Sequence, residues 1–301
     1  MTSQIDWDAC TRLWNQTYPA EYRLSSDTIE SHLAGSIAVS VKEDTVLALK
    51  GHGQWQGSDA SRGHVSLWVS GRPSSSWADQ LEEVPKMARS LGWSKVAFGS
   101  DPDHLLPGVP AQMSNLRSAL ERVGFKETGA CFDLVRDLSD YSIPSECLTV
   151  LSDSGAAVRP CDVSDIPGLD DFFQREFPGR WRHDVMRKIT VDREPGQVFL
   201  LTVEDQIEGF AMTQQEGCVR PVAGAVWREG LGRDWGALGP IGISRSVRGR
   251  GLGNAMLASS LSHLQKRGAR RTVIDWTTLG DFYGAHGFIV TKRYIHMTLD
   301  L

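Results

Sequence analysis

The sequence predicts an α/β protein built from two tandem copies of one fold, and three observations carry that reading. An apolar segment containing Ile241 and Ile243 enters Arg248-Gly249-Arg250-Gly251-Leu252-Gly253, and a helical pattern with Leu257, Leu261 and Leu264 on one face leaves it, so the glycines sit at a strand-to-helix turn. The same order of elements recurs upstream: setting Gly92 against Gly268 aligns helix with helix and strand with strand, and places Arg72 opposite Arg248, each twenty residues before its glycine. Finally, Val123-Gly124-Phe125 ends a helix in the first half as His286-Gly287-Phe288 does in the second, and each half closes on a strand, Ala130 to Leu138 and Tyr294 to Leu301.

Taken in order, Ile5 to Trp14 and Ser26 to Leu33 read as helices, the second with Ser26 or Asp27 as N-cap. Ser36 to Val41, Val46 to Lys50 and His64 to Ser70 read as strands separated by Gly51, Gly53 and Gly57. Trp77, Leu81, Val84, Ala88 and Leu91 recur at helical spacing, with Pro85 expected to bend that helix, and a strand follows over Trp93 to Phe98. A connection through Leu105-Leu106-Pro107-Gly108-Val109-Pro110 then leads to a helix over Ala111 to Arg122. Turn-forming residues around Pro144 and Gly155 place a linker at 141–155, which divides the chain into a first domain, 1–140, and a second, 156–301. Beyond it come a strand at Ala157-Val158-Arg159, a helix capped by Ser164 or Asp165 and broken near Phe177-Pro178, a second helix with Val185 and Ile189, and strands over Val198 to Val203 and Ile207 to Gln214. The stretch Glu216 to Asp234 exceeds what a hairpin needs, which points to a loop overhanging the active site.

Composition excludes several classes. A chain of 301 residues with a formal net charge of −5 and no long basic run does not suit nucleic acid as a main partner. Its five cysteines (Cys10, Cys131, Cys147, Cys161, Cys218) are scattered and unpaired in spacing, so neither a disulfide framework nor a metal site is expected, and a reducing compartment fits. No leader-like segment opens the chain and no apolar run has membrane-spanning length, so the expectation is a cytoplasmic protein with no membrane partner; oligomeric state stays open.

The hexapeptide carries the chemistry. Glycine lacks the Cβ that would hold a ligand off the backbone, and the first N–H groups of a helix have no partner in the chain, so they stand ready as anion donors. R-x-x-G-x-G alone is unspecific, but its context is not. The helix ends at Arg267-Gly268, a strand Thr272-Val273-Ile274-Asp275-Trp276 follows, and a short helix carries Phe282-Tyr283 before Gly287-Phe288. This order resembles the acetyl-CoA-binding core of the GNAT (GCN5-related) N-acetyltransferases. The pairing of two such halves, with Trp276-Thr277-Thr278-Leu279-Gly280-Asp281-Phe282-Tyr283 and Phe177-Pro178-Gly179-Arg180-Trp181, resembles the tandem GNAT modules associated with bacterial β-N-acetylhexosaminidases and, more distantly, mycothiol synthase.

The resemblance implies two mixed, mostly antiparallel sheets flanked by helices, with acetyl-CoA as acetyl donor, no metal, and a small-molecule amine, an amino sugar by analogy, as acceptor. It implies that Ile241 and Ile243 hold the pantetheine arm by their backbone while serving as core, and that the amides of Arg248, Gly249, Arg250, Gly251, Leu252 and Gly253 grip the diphosphate. The guanidinium groups of Arg248 and Arg250 have two open readings, phosphate partners or solvated surface. Tyr283 is the candidate general acid for the leaving thiolate, against a packing role. For the base, a water relay to bulk solvent stands ahead of any single side chain, with Asp234 first among the side chains and Glu229 and Asp275 as others; Ala237 stands where relatives often place a glutamate. Trp276 replaces a frequent asparagine. Arg180, Trp181 and His183 face the acceptor in this reading, with Trp276 as an aromatic wall, or pack between helices.

The first half departs from this pattern. Its hexapeptide reads Arg72-Pro73-Ser74-Ser75-Ser76-Trp77, and Leu120 stands where the second half has Tyr283. It therefore reads as a degenerate copy kept for scaffold or acceptor recognition, with an unrelated α/β domain as the rival.

Overall fold

The computed structural model describes residues 5–33, 35–42, 44–53, 55–221 and 223–301, so residues 1–4 of the expected first domain lie outside the described residues. In chain order the elements are α1 (Trp7–Thr17), α2 (Ser26–Leu33), β1 (Ala38–Lys42), β2 (Thr45–Gly51), β3 (Arg62–Ser70), α3 (Trp77–Leu81), α4 (Glu83–Ser90), β4 (Lys95–Phe98), β5 (Val109–Pro110), α5 (Ser114–Val123) and β6 (Lys126–Asp137). There follow α6 (Ser145–Asp153), β7 (Ala156–Pro160), α7 (Ile166–Glu176), α8 (Arg180–Thr190), β8 (Val198–Val203), β9 (Gln206–Gln215), α9 (Arg228–Leu231), β10 (Trp235–Ile243), α10 (Leu252–Lys266), β11 (Arg271–Thr277), α11 (Gly280–Gly284) and β12 (Ile289–Asp300).

The strands join one mixed sheet in the order β1-β2-β3-β4-β12-β6-β11-β10-β9-β8-β7, with β5 pairing β12. Among the described strands only β3/β4 and β10/β11 run parallel. Neither half closes on itself. The last strand of the first half, β6, lies against β11 of the second from Arg271↔Asp137 to Ile274↔Leu134. The last strand of the second half, β12, lies against β4 of the first from Met297↔Phe98 to Asp300↔Lys95. Each half thus covers its open edge with the other's final strand, which satisfies the backbone groups that an uncovered edge would leave free. The sheet accordingly runs straight through the division placed at 141–155. That segment contains α6, whose Cys147, Val150 and Leu151 recur at helical spacing and pack into the cores beneath α10.

The repeat is visible in the turns. Gly92 and Gly268 both end their helices with positive φ, and Trp93 N and Ala269 N return to Ala88 O and Leu264 O at 3.1 and 3.0 Å. Gly124 and Gly287 do the same, with Phe125 N and Phe288 N returning to Leu120 O and Tyr283 O at 3.0 and 3.2 Å.

Local expectations shift in three places. The helix read across Trp77 to Leu91 breaks at Glu82, between α3 and α4, while Pro85 sits in the first turn of α4, where a missing N–H costs nothing. The helix expected from Ala111 starts at Ser114. The stretch after Glu216 bridges the halves: Arg220 pairs with Asp192, and Ala225 and Leu231 pack with Trp235 and Val273 of the second half, while Trp227 joins the core of the first, Arg228 donates to Thr28, and Glu229 accepts from Ser25 and Thr28. Of this stretch's described residues, none lines either of the two larger cavities beside β10.

Candidate active site

The site begins where two central strands part. β10 and β11 pair for three positions, Trp235↔Arg271 to Ala237↔Val273, and then separate. β10 bulges between Leu238 and Ile241, and β11 is irregular between Ile274 and Thr277, where Trp276 takes a φ of 48°. On the far side of β10, Ser244 N donates to Glu208 O at 2.8 Å. Hydrogen-bonded pairs alternate in an antiparallel ladder, so Gly242 faces β9 and the N–H and C=O groups of Ile241 and Ile243 point into the gap. Arg248 Nε and Nη2 both donate to the Ile243 carbonyl, at 3.3 Å each.

The turn after β10 makes a cradle. Gly249 and Gly251 have φ of 77° and 78°, a backbone that L side chains resist, and a Cβ on Gly251 would stand 3.1 Å from Val150 Cγ2. Ala255 N donates to Gly251 O at 3.1 Å as the first rung of α10, so the amides of Leu252, Gly253 and Asn254 have no partner within the helix. They open on a cavity of about 460 Å³ lined by Ile241, Ile243, Arg248, Gly249, Gly251, Gly253 and Tyr283. Of the expected cofactor residues, the Arg248 amide is not free for a phosphate, since it closes the preceding turn on Arg245 O at 3.4 Å; Arg250 is exposed outside this lining and the Leu252 side chain is fully buried in the core, leaving the backbones of these last two as the groups available. Asn254, Leu279 and Phe282 also line the cavity; their signal in the sequence was adjacency to Gly253 and Tyr283. The cradle and the strand gap together fit a diphosphate joined to an extended amide-bearing arm.

A second cavity, of about 410 Å³, adjoins the first, sharing Ile241, Leu279 and Tyr283. Arg180, Trp181 and Trp276 line it, together with Asp275, Asp184 and His104. Arg180 reaches from α8 to the first half, donating to Asp101 O and Pro102 O at 2.9 and 2.8 Å, with its guanidinium 5.4 Å from the Trp276 ring centroid. His104, which follows β4, meets the Trp276 ring at a tilt of 42°, with the ring centroids 4.6 Å apart. His183 lies beside it in a smaller cavity of about 200 Å³ with Trp55 and Arg187. Nothing local in the sequence ties His104 to this place, because strand exchange across the halves brings it there.

The titratable groups divide sharply. Asp275 carries an unpartnered buried Oδ2, and burial, followed by the charge of Asp133, pushes its carboxyl up to about 8. Burial, then the Asp275 charge, pushes the Tyr283 phenol up to about 12, so it holds its proton at neutral pH. Asp234 stands apart: its carboxylate is 64% exposed, 4.0 Å from Arg270, and it lines neither cavity. It precedes the paired start of β10, whereas the gap opens beyond Ala237, so nearness in sequence does not bring it to the centre. Glu229 is committed to Ser25 and Thr28. Among the described residues no cluster of His, Cys, Asp or Glu has metal-binding geometry, and no helix is long and apolar enough to cross a membrane.

Residues 166–290, which contain the cradle, the gap and Tyr283, match the family model described as "Acetyltransferase (GNAT) family". The chain carries a GNAT acetyltransferase domain. By family this GNAT domain is an acyltransferase. Solved structures with the same fold include a fungal multi-domain GH3 β-N-acetylglucosaminidase described as having a GCN5-related glucosamine N-acetyltransferase region. It is 20% identical, with a TM-score of 0.87 over 98% of this chain, which spans 37% of that fungal chain. A GCN5-related N-acetyltransferase from Sphaerobacter thermophilus is 15% identical with a TM-score of 0.68, over 98% of this chain and 92% of the other. A tandem GNAT protein from the clavulanic acid biosynthesis pathway is 14% identical with a TM-score of 0.63, over 98% and 93%. At these identities the likeness is one of fold. A comparison with curated proteins found no match.

Proposed function

We propose that the protein transfers an acetyl group from acetyl-CoA to a primary amine of a small molecule, an amino sugar being the favoured class, by direct attack with both substrates bound. The observation that carries this reading is the meeting of two cavities at Tyr283 and Ile241, one bounded by a phosphate cradle and the other by Arg180, Trp276 and Asp275. The amides of Gly249 to Asn254 hold the diphosphate, and the gap-facing backbone of Ile241 and Ile243 holds the pantetheine arm as an added strand would be held.

Asp275 takes the proton of the acceptor ammonium, which frees the nitrogen lone pair to attack the thioester carbonyl. A gap-facing N–H of β10 donates to the oxygen on which negative charge develops. As the carbon–sulfur bond breaks, Tyr283 donates its phenolic proton to the departing sulfur, and the phenol regains one from solvent. Because Asp275 works only when ionised, and burial raises its carboxyl to about 8, kcat/KM rises as pH is raised through about 8 and then levels. The aromatic faces of Trp276 and Trp181 and the Arg180 guanidinium suit a hydroxylated ring, and the neighbour described as a glucosamine N-acetyltransferase region supports that class. We further propose a cytoplasmic setting, which suits five free, buried thiols.

The test is a thiol-release assay with acetyl-CoA across a panel of amines that includes 2-amino sugars. Amine-dependent release of free thiol supports the transferase. Stabilisation by acetyl-CoA without release on any amine would replace it with a ligand sensor.

A further inference from the structure

Asp133 is a fully buried carboxylate that the chemistry above does not use. It lies on β6, the strand that the first half lends to the second. Opposite it the β11 ladder is interrupted: Ile274 pairs with Leu134 and Thr277 with Phe132, so Asp275 and Trp276 together face the Asp133 position. Three donors converge on its carboxylate. Trp276 N reaches Oδ1 at 3.1 Å, while Trp227 Nε1 and Tyr294 Oη reach Oδ2 at 3.0 and 2.6 Å. These belong to β11, β12 and the segment before α9, so one carboxylate ties four stretches of chain together.

The two aspartates are unequally supplied. Asp133 has those donors and the positive charge of Lys292, whose Nζ lies over the Trp227 and Tyr22 rings. Asp275 faces Asp133 and Cys131 from β6, Tyr283 from α11 and Arg180 from α8, and its Oδ2 has no donor. Two buried carboxyls this close do not both ionise readily, and the one with more donors keeps the charge.

We propose that Asp133 is a positioning residue for the acceptor site: its carboxylate fixes the irregular turn at Trp276 that presents Asp275 to the cavity, and its charge holds the proton on the Asp275 carboxyl. The first half of the chain thereby sets the basicity of a group in the second. This rests on Asp275 being the base, and it explains why an exchanged strand is retained beside the acceptor cavity. Burial raises both carboxyls, and the three donors pull Asp133 back down, which gives the order of ionisation.

The experiment is a pH titration of side-chain carboxyl carbons by NMR on the full chain, with Asp275→Asn to assign one signal and Asp133→Asn to perturb it. In the unsubstituted protein Asp133 is expected to ionise first and Asp275 near pH 8. In Asp133→Asn the Asp275 titration is expected to move down by at least one pH unit, a tenfold loss of proton affinity. The rising limb of the pH–rate profile should move with it, which a merely structural role would not produce. Reversed order in the unsubstituted protein, or an Asp275 titration that stays put in Asp133→Asn, overturns the proposal. The order of ionisation is readable even if Asp133→Asn does not fold. Neither readout of the carboxyls needs turnover, so failure to acetylate any amine while the order holds would remove the transferase reading alone.

Discussion

The turn after β3 and the turn after β10 begin from the same arginine position and end as opposite objects. After β10 the chain reads Arg-Gly-Arg-Gly-Leu-Gly, two glycines take positive φ, and a 15-residue helix opens with unpartnered amides on a cavity. After β3 it reads Arg-Pro-Ser-Ser-Ser-Trp; a short 3-10 turn over Ser74–Ser76 runs into a five-residue helix, and Trp77 folds back so that its Nε1 donates to Arg72 O at 3.0 Å. The strands differ as well. β3 and β4 stay paired from Arg62↔Lys95 to Val65↔Phe98, and Gly99 N extends the ladder to Val65 O, so no gap opens. Leu120, the counterpart of Tyr283, is wholly buried. One fold therefore opens a cradle and a strand gap in one copy, and in the other keeps the strands paired and folds Trp77 back on the turn.

The largest expected effect comes from making the second turn resemble the first. Gly253→Trp places an indole in the cradle, whereas Gly253→Ala meets only ordinary contact, its Cβ 3.7 Å from Ile243. The tryptophan variant should lose the thermal shift by acetyl-CoA, which for the unsubstituted protein amounts to about 2.7 kcal/mol at a hundred times Kd; the alanine variant should keep most of it. Next, Asp275→Asn should lower kcat by roughly 10²–10⁴-fold and abolish the rise near pH 8, with acetyl-CoA binding intact. Tyr283→Phe should cost about 10²-fold in kcat, again without loss of acetyl-CoA affinity; unchanged turnover would assign Tyr283 to packing. Arg180→Ala should raise the acceptor KM about tenfold, the scale of one charge-assisted hydrogen bond, and leave the acetyl-CoA KM alone. The smallest effect is the reverse graft: Trp77→Gly should create no second acetyl-CoA site, because β3 and β4 remain zipped.

The sequence made the cradle legible because its requirements are local. Glycines at 249, 251 and 253 between an apolar strand and a periodic helix state a backbone need that few other arrangements share. Arg180, Trp181 and Trp276 were legible as aromatic and cationic side chains near loops, and they line one cavity. What stayed hidden is non-local. The exchange of β6 and β12 has no signature within either strand, since alternating apolar residues pair equally well with either edge. Asp133 and His104 reach the site only through that exchange and the joining of the halves. Asp234 illustrates the converse error, for it is close to β10 in the chain but at the end where the strands are still paired.

Calorimetric titration of acetyl-CoA into the full chain and into Gly253→Trp tests the central claim most directly. One site per chain, absent in the variant, is the predicted result. Two sites per chain, or binding that survives in Gly253→Trp, would contradict it.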